Sequence, residues 1–211
     1  MQYNFIVIEG NIGAGKTTLT TKIAEDYNAK IILEQFADNP FLPKFYKNQE
    51  RYAFPLEMSF LADRYNQLKK ELTNRDLFKT FTISDYYFIK SLIFAKSTLH
   101  DDEYKLYRDF FNIIYTSLPK PDIYVYLHKD VDVLLANIKK RGRDYEQEIE
   151  PEYLQKIQNA YFDFFKQENN FSILILDTNK INFVESQTDY KKVLEVIFNR
   201  NYPKGITRIE L

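Results

Sequence analysis

The run Phe5-Ile6-Val7-Ile8-Glu9-Gly10-Asn11-Ile12-Gly13-Ala14-Gly15-Lys16-Thr17-Thr18 spells G-x-x-x-x-G-K-T between a strand-like apolar stretch and a helix-like one. A phosphate-binding loop needs that context. Its glycines let successive backbone N–H groups turn toward phosphate oxygens, and the following helix adds the partial positive charge of its N-terminus. Gly10, Asn11, Ile12, Gly13, Ala14, Gly15, Lys16, Thr17 and Thr18 are thus expected to hold a nucleotide, with Lys16 reaching the β- and γ-phosphates and the Thr17 hydroxyl facing Mg²⁺. A second cationic group, Lys139-Lys140-Arg141-Gly142-Arg143-Asp144, comes late in the chain. Arg141 and Arg143 suit a lid that closes over a transferring phosphoryl group; a solvated basic helix end would look the same. Two carboxylates, Glu34 after Ile31-Ile32-Leu33 and Asp85 after Thr82-Ile83-Ser84, stand at the ends of strand-like runs. The carboxyl ends of parallel strands form the rim where ligands bind in open α/β sheets. Glu34 is the preferred base for an attacking hydroxyl, with Asp85 as the alternative base or as a Mg²⁺ ligand.

The elements that must position these groups read as a βα alternation. Strand-like runs occur at Tyr3–Ile8, Lys30–Leu33, Phe78–Ile83, Ile123–Leu127 and Ser172–Leu176. They are nearly all apolar, as strands buried on both faces are. Helical spacing occupies Lys16–Tyr27, Tyr52–Thr73, Tyr86–Leu99, Glu103–Ser117, Val131–Lys140, Glu152–Gln167 and Tyr190–Asn199, with Pro151 suited to a first helical turn and Thr188 or Asp189 as a cap. The expectation is one α/β domain over residues 1–211, a three-layer P-loop kinase fold with a five-stranded parallel sheet flanked by helices and a lid at about 139–150.

Composition narrows the chemistry. The 211 residues carry 29 Lys and Arg against 30 Asp and Glu, which gives no basic footprint for a nucleic acid. With no Cys, disulfides, thiolate metal sites and a cysteine nucleophile are excluded. His100 and His128 stand apart and suggest no transition-metal cluster. Neither a signal-peptide pattern nor a membrane-length apolar run is present, so a cytoplasmic protein without membrane contact is expected. A base-reading N-K-x-D of a GTPase fails at Asn179-Lys180-Ile181-Asn182, and a nucleic-acid-driven ATPase would be longer and more basic. A small kinase fits better; a P-loop switch without a phosphoryl acceptor is the rival from another class.

With these residues in view, the chain resembles the deoxynucleoside kinase family, in its bacterial deoxyadenosine and deoxyguanosine kinase branch. The resemblance rests on Gly10 to Thr17, Glu34, Asn39-Pro40-Phe41-Leu42 leading to Tyr46, Arg51-Tyr52-Ala53-Phe54-Pro55-Leu56-Glu57 through Arg64, and Lys140-Arg141-Gly142-Arg143-Asp144-Tyr145-Glu146. It implies transfer of the ATP γ-phosphoryl group to a deoxynucleoside 5′-hydroxyl in nucleotide salvage, with Mg²⁺ as cofactor and Glu34 as general base. Tyr46 and Glu146 would grip the sugar 3′-hydroxyl, Glu57 and Arg64 the base edge, and Phe36 and Phe41 would wall the base. Arg141 and Arg143 would be lid arginines, and Phe183 would pack on the donor adenine. Relatives commonly carry an acid followed by Arg and Ser after the third strand, whereas this chain reads Ser84-Asp85-Tyr86-Tyr87. Lys90 is then either a replacement cation at the reaction centre or a donor to the base. An ionised Glu57 is acceptor-only and, with cationic Arg64 and Lys90, favours a purine. A pyrimidine deoxynucleoside kinase and a nucleoside monophosphate kinase remain as alternatives. The resemblance further implies a homodimer formed through a helical face.

Overall fold

The computed structural model describes residues 3–35, 39–74 and 76–211; Phe36, expected as a base wall, lies outside them. The described elements run β1 (Phe5–Gly10), α1 (Lys16–Asp26), β2 (Lys30–Ile32), α2 (Leu42–Lys47), α3 (Gln49–Thr73), β3 (Thr82–Ser84), α4 (Ile89–Thr98), α5 (Asp101–Tyr115), β4 (Ile123–His128), α6 (Val131–Arg141), α7 (Pro151–Phe165), β5 (Ser172–Asp177), α8 (Gln187–Phe198) and β6 (Gly205–Glu210).

All neighbouring strands pair in parallel, in the order β2-β3-β1-β4-β5-β6. β1, β4 and β5 are buried almost throughout, and the two-residue period of a strand divides their side chains between two cores. Ile6, Ile8, Val125, Leu174 and Leu176 pack with Leu19 and Ile23 of α1, Leu134 and Ile138 of α6, and Val193 and Ile197 of α8. On the other face, Phe5, Val7, Tyr124, Tyr126 and Ile173 meet Leu61 and Leu68 of α3, Ile93 of α4, Phe111 of α5 and Tyr161 and Phe165 of α7. The helix–sheet–helix layering follows from β1 carrying apolar side chains on both faces. Because every strand points the same way, the loops that follow β1, β2 and β3 emerge on one edge. The phosphate loop, Glu34 and Asp85 belong to that edge.

Three local expectations are corrected. The sheet has six strands rather than five, because Gly205–Glu210 pairs along the outer edge of β5, from Ser172 opposite Gly205 to Asp177 opposite Glu210. An edge strand needs no continuous apolar run. Its residues alternate between half-buried and exposed, and Arg208 joins Asp177 at 3.2 Å. β3 is only Thr82–Ser84, since residues 76–80 form a turn in which Asp76 caps the Phe78 amide at 2.9 Å. Leu77 and Phe78, apolar enough to read as strand, are 85% and 89% exposed. α8 starts under Ser186, whose side chain accepts from the Asp189 amide at 3.2 Å, so the cap falls earlier than Thr188 or Asp189. Pro151 does open α7.

Candidate active site

The phosphate loop joins β1 to α1 with little room for larger residues. Gly13 has φ +85°, and a Cβ there would come within 2.7 Å of the Leu134 carbonyl oxygen. At Gly15, φ is +90° and a Cβ would press on the Phe183 ring at 3.0 Å. Both positions therefore need the left-handed backbone that glycine adopts without strain. Lys16 Nζ donates to the Asn11 carbonyl at 2.9 Å, and Asn11 Nδ2 anchors the loop to the Leu154 carbonyl at 2.8 Å. Asn137 Nδ2 of α6 donates to the Gly13 carbonyl at 2.9 Å. Burial, then the nearby Lys90, lowers the Lys16 ammonium to about 8. Thr17 and Thr18 are exposed at the start of α1.

Asp85 links the loop to the second strand end. Its Oδ2 accepts from Thr17 Oγ1 at 2.5 Å and its Oδ1 from the Glu34 amide at 2.8 Å. A hydroxyl and one carboxylate, with phosphate oxygens completing the set, suit the hard oxygen preference of Mg²⁺. Among the described residues there is no group of three or more His, Cys, Asp or Glu that could hold a metal without such a substrate.

Glu34 lies between two cations. Its Oε1 takes Arg64 Nε at 2.9 Å and Nη2 at 2.7 Å, and its Oε2 takes Lys90 Nζ at 2.5 Å. Burial by itself raises this carboxyl, but Lys90 and Arg64 outweigh it and hold it at about 2. Arg64 also donates from Nη1 to Ser91 Oγ at 2.9 Å. Of the two roles expected for Lys90, its ion pair places the ammonium beside Glu34. Arg64 spans the two carboxylates of α3 and the rim: it is drawn to Glu34 first and to Glu57 next.

A cavity runs from Lys16, Thr17, Glu34 and Asp85 inward past Arg64 and Lys90 to Glu57, walled by Phe45, Phe60, Phe94 and Tyr153. Phe41 instead packs in the satellite cluster between α2 and α3, under Lys44, 5.8 Å from its ring; the wall residues Phe45, Phe60, Phe94 and Tyr153 were not singled out in the sequence. Tyr46 and Glu146 both face this cavity, with Tyr46 stacked on Tyr145 at 6.1 Å. Thr98 Oγ1 donates to Glu57 Oε1 at 3.0 Å.

The lid follows α6, which ends at Gly142 with φ 73°. The buried Glu146 pairs with Arg141 Nη2 and with Arg143 Nη1, the latter at 3.1 Å. Both arginines border this cavity and a second, outer one, which is lined by Gly13 to Thr18, Lys129, Asn137, Asn179 and Asn182. Phe183 is 1% exposed, and its ring lies under Gly15 below Lys129 Nζ at 5.8 Å. The ring supports the glycine loop and also borders the outer cavity.

A buried acid beside the loop escaped the sequence reading. Glu9, at the root of the loop, accepts from the Tyr87 amide at 3.0 Å, Tyr161 O–H at 3.0 Å and the Gly10 amide at 3.3 Å. Burial raises its carboxyl above the usual range. A carboxylate in an otherwise apolar strand was the signal that could have marked it.

The glycine loop between β1 and α1, the Arg141–Gly142–Arg143 segment and the cavity at Glu34 lie together at one edge of a parallel α/β sheet. The sequence profile described as "Deoxynucleoside kinase" matches residues 6–201. The chain is 37% identical over 195 residues to the deoxyguanosine kinase of Bacillus subtilis, covering 90% of this chain and 93% of that one. It is 30% identical over 206 residues to the deoxyadenosine kinase of Lactobacillus acidophilus, covering 91% and 94%. The structure of the M. mycoides deoxyadenosine kinase with the products dCMP and a flexible dCDP bound superposes with a TM-score of 0.80 at 27% identity, covering 93% of this chain and 100% of that one. The chain belongs to the deoxynucleoside kinase family.

Proposed function

We propose that the protein transfers the γ-phosphoryl group of ATP to the 5′-hydroxyl of a purine 2′-deoxynucleoside, yielding the 5′-monophosphate in nucleotide salvage. The observation that carries this reading is Glu34, held by Arg64 and Lys90 where the acceptor cavity reaches Lys16, Thr17 and Asp85. The nucleoside lies in the inner cavity with its base toward Glu57 and Arg64 and its sugar 3′-hydroxyl toward Tyr46 and Glu146. The donor phosphates lie on Gly10 to Thr18 with the adenine in the outer cavity. Names of relatives that specify deoxyguanosine and deoxyadenosine support the purine choice, as does an acceptor carboxylate at the base end of the cavity.

In the reaction, Glu34 accepts a hydrogen bond from the 5′-hydroxyl and aims its oxygen at the γ-phosphorus. A carboxylate near 2 is a weak base, so it takes the proton late, after bonding to phosphorus has acidified the hydroxyl. Lys16 and the backbone amides of the loop stabilise the charge on the transferring group, and Arg141 and Arg143 exchange part of their contact with Glu146 for phosphate oxygens. Mg²⁺, when held by Thr17 and Asp85, supplies charge neutralisation of the phosphates. No described helix is long and apolar enough to cross a membrane.

The exposed row Leu106, Phe110 and Ile113 on α5, with exposures of 49%, 44% and 74%, supports pairing of two copies through that helix. ADP release assayed over the four deoxynucleosides and their ribose counterparts tests the activity. The two purine deoxynucleosides should be preferred in kcat/KM and the ribonucleosides disfavoured. Higher kcat/KM for thymidine or deoxycytidine would overturn the purine choice. ATP hydrolysis indifferent to every nucleoside would favour a switch protein.

A further inference from the structure

A further carboxylate stands behind the pair formed by Thr17 and Asp85. Glu9 is 0% exposed, and three donors converge on it: the Tyr87 amide on Oε1 at 3.0 Å, and the Tyr161 hydroxyl at 3.0 Å and the Gly10 amide at 3.3 Å on Oε2. Two of the three are backbone amides, one on each oxygen, and neither can turn to accept. A carboxylate meets that pattern, whereas a glutamine would point its own N–H groups at one of them. None of the three donors is charged, and burying a carboxylate on neutral donors is costly. An apolar side chain would finish β1 at less cost, so the use of the acid lies in what it holds.

What it holds is the turn that carries Asp85. The parallel ladder between β1 and β3 ends with Val7 opposite Ser84. Beyond that pair, the Tyr87 amide donates to the Glu9 side chain. From the same turn Asp85 reaches forward, with Oδ2 on the Thr17 hydroxyl at 2.5 Å and Oδ1 on the Glu34 amide at 2.8 Å. Toward β2 and α3 the turn is fastened by the Asp85 amide on the Ile32 carbonyl at 3.1 Å and by the Tyr86 hydroxyl on Gln67 Oε1 at 2.7 Å. Toward β1 it is fastened past the ladder by Glu9. Mg²⁺ demands near-ideal octahedral placement of its oxygens, so a small shift of Asp85 against Thr17 weakens a site built from the two.

Resting on the assignment of Thr17 and Asp85 to Mg²⁺ made above, we propose that Glu9 is a positioning residue for phosphoryl transfer: through the Tyr87 amide it sets Asp85 against Thr17 and so places the metal-side carboxylate and the Glu34 amide relative to the phosphate loop. Glu9 lines neither the inner nor the outer cavity. Its effect therefore falls on the metal and on turnover, and not on capture of the nucleoside.

The test compares Glu9→Gln, Glu9→Asp, Tyr161→Phe and Asp85→Asn with the wild type, at a temperature at which calorimetry shows each of them folded. In Glu9→Gln the Mg²⁺ concentration for half-maximal ADP release should rise by at least about tenfold, and the affinity of the ADP complex for Mn²⁺, read without turnover by electron paramagnetic resonance, should fall by a similar factor. At saturating Mg²⁺ kcat should still be lowered by about tenfold or more, with KM for the deoxynucleoside within about threefold of wild type. Tyr161→Phe removes one bond to Glu9 and leaves the Tyr87 amide in place, so Tm should fall while the Mg²⁺ requirement and kcat stay within about twofold. Glu9→Asp draws both oxygens back by one methylene and should raise the Mg²⁺ requirement by at least about threefold; it decides the matter if the Gln variant does not fold. Folded Glu9 variants with the wild-type Mg²⁺ requirement and Mn²⁺ affinity would overturn the proposal, as would a Tyr161→Phe protein that loses both as fully as Glu9→Gln, since that is general loosening of the fold. If Asp85→Asn leaves both quantities unchanged, the metal assignment itself has failed, which the same titrations distinguish from failure at Glu9.

Discussion

Replacing Glu34 by Gln removes one negative charge from between two buried cations, and the structure gives the size of the effect. The Glu34 carboxyl falls from 4.5 to about 2, and its side chain is 10% exposed, so little is lost to solvent screening. Two and a half pKa units correspond to about 3 kcal/mol. Leaving Arg64 and Lys90 buried with an amide for a partner brings the expected loss to about 3–5 kcal/mol. For a domain of this length each kcal/mol lowers Tm by about 2–4 °C, so a drop on the order of 10 °C is expected near pH 7. The pH dependence has a definite sign. Because the folded-state pKa is depressed, the stabilisation is present above about 4.5 and is lost as pH falls toward about 2. The gap between wild type and Glu34→Gln should therefore hold from pH 7 down to pH 5 and shrink at lower pH. Scanning calorimetry along a pH series reads this directly. Steady-state ADP release should show kcat lowered by about 10²–10⁴-fold with a modest change in KM for the deoxynucleoside. A variant with unchanged Tm at pH 7 would refute the electrostatic reasoning, and one with near-normal kcat would move the proton acceptor to Asp85.

Asp85→Asn keeps the size of the side chain but weakens both of its bonds, to Thr17 and to the Glu34 amide. Activity at low Mg²⁺ should fall by about 10²-fold and recover in part at high Mg²⁺; a loss independent of Mg²⁺ would count against a metal role. Ile113→Glu places a charge on the exposed apolar row of α5, and sedimentation should show wild-type dimers giving way to monomers, whereas an unchanged dimer would put the interface elsewhere. Deleting residues 204–211 strips β6 from β5. Urea unfolding should show a loss of several kcal/mol together with a greater tendency to aggregate, from the bared strand edge; a fully stable, soluble truncation would mean that β6 contributes little.

Much of the fold was legible because its signals are local. The apolar runs of β1, β4 and β5 report burial on both faces, and the glycines of residues 10–15 with Lys16 and Thr17 report a loop whose backbone geometry few other sequences tolerate. Those cues sufficed for the layers and for placing the glycine loop, Glu34 and Asp85 at one edge of the sheet. β6 went unread because an edge strand with one exposed face carries little hydrophobic signal, and β3 was drawn too long because Phe78 is apolar yet exposed.

The residues themselves determined which groups could meet a phosphate: Gly10 to Thr18, two arginines around Gly142, and carboxylates after two strands. Only the tertiary structure decided how those charges divide. Lys90 and Arg64 come from different helices, and their convergence on Glu34 makes it a fixed anion, while burial with Thr98 on one oxygen leaves Glu57 poised near neutrality. The pKa of a carboxyl depends on distances to charges remote in sequence and on exclusion of water, and neither is written in the spacing of residues along the chain.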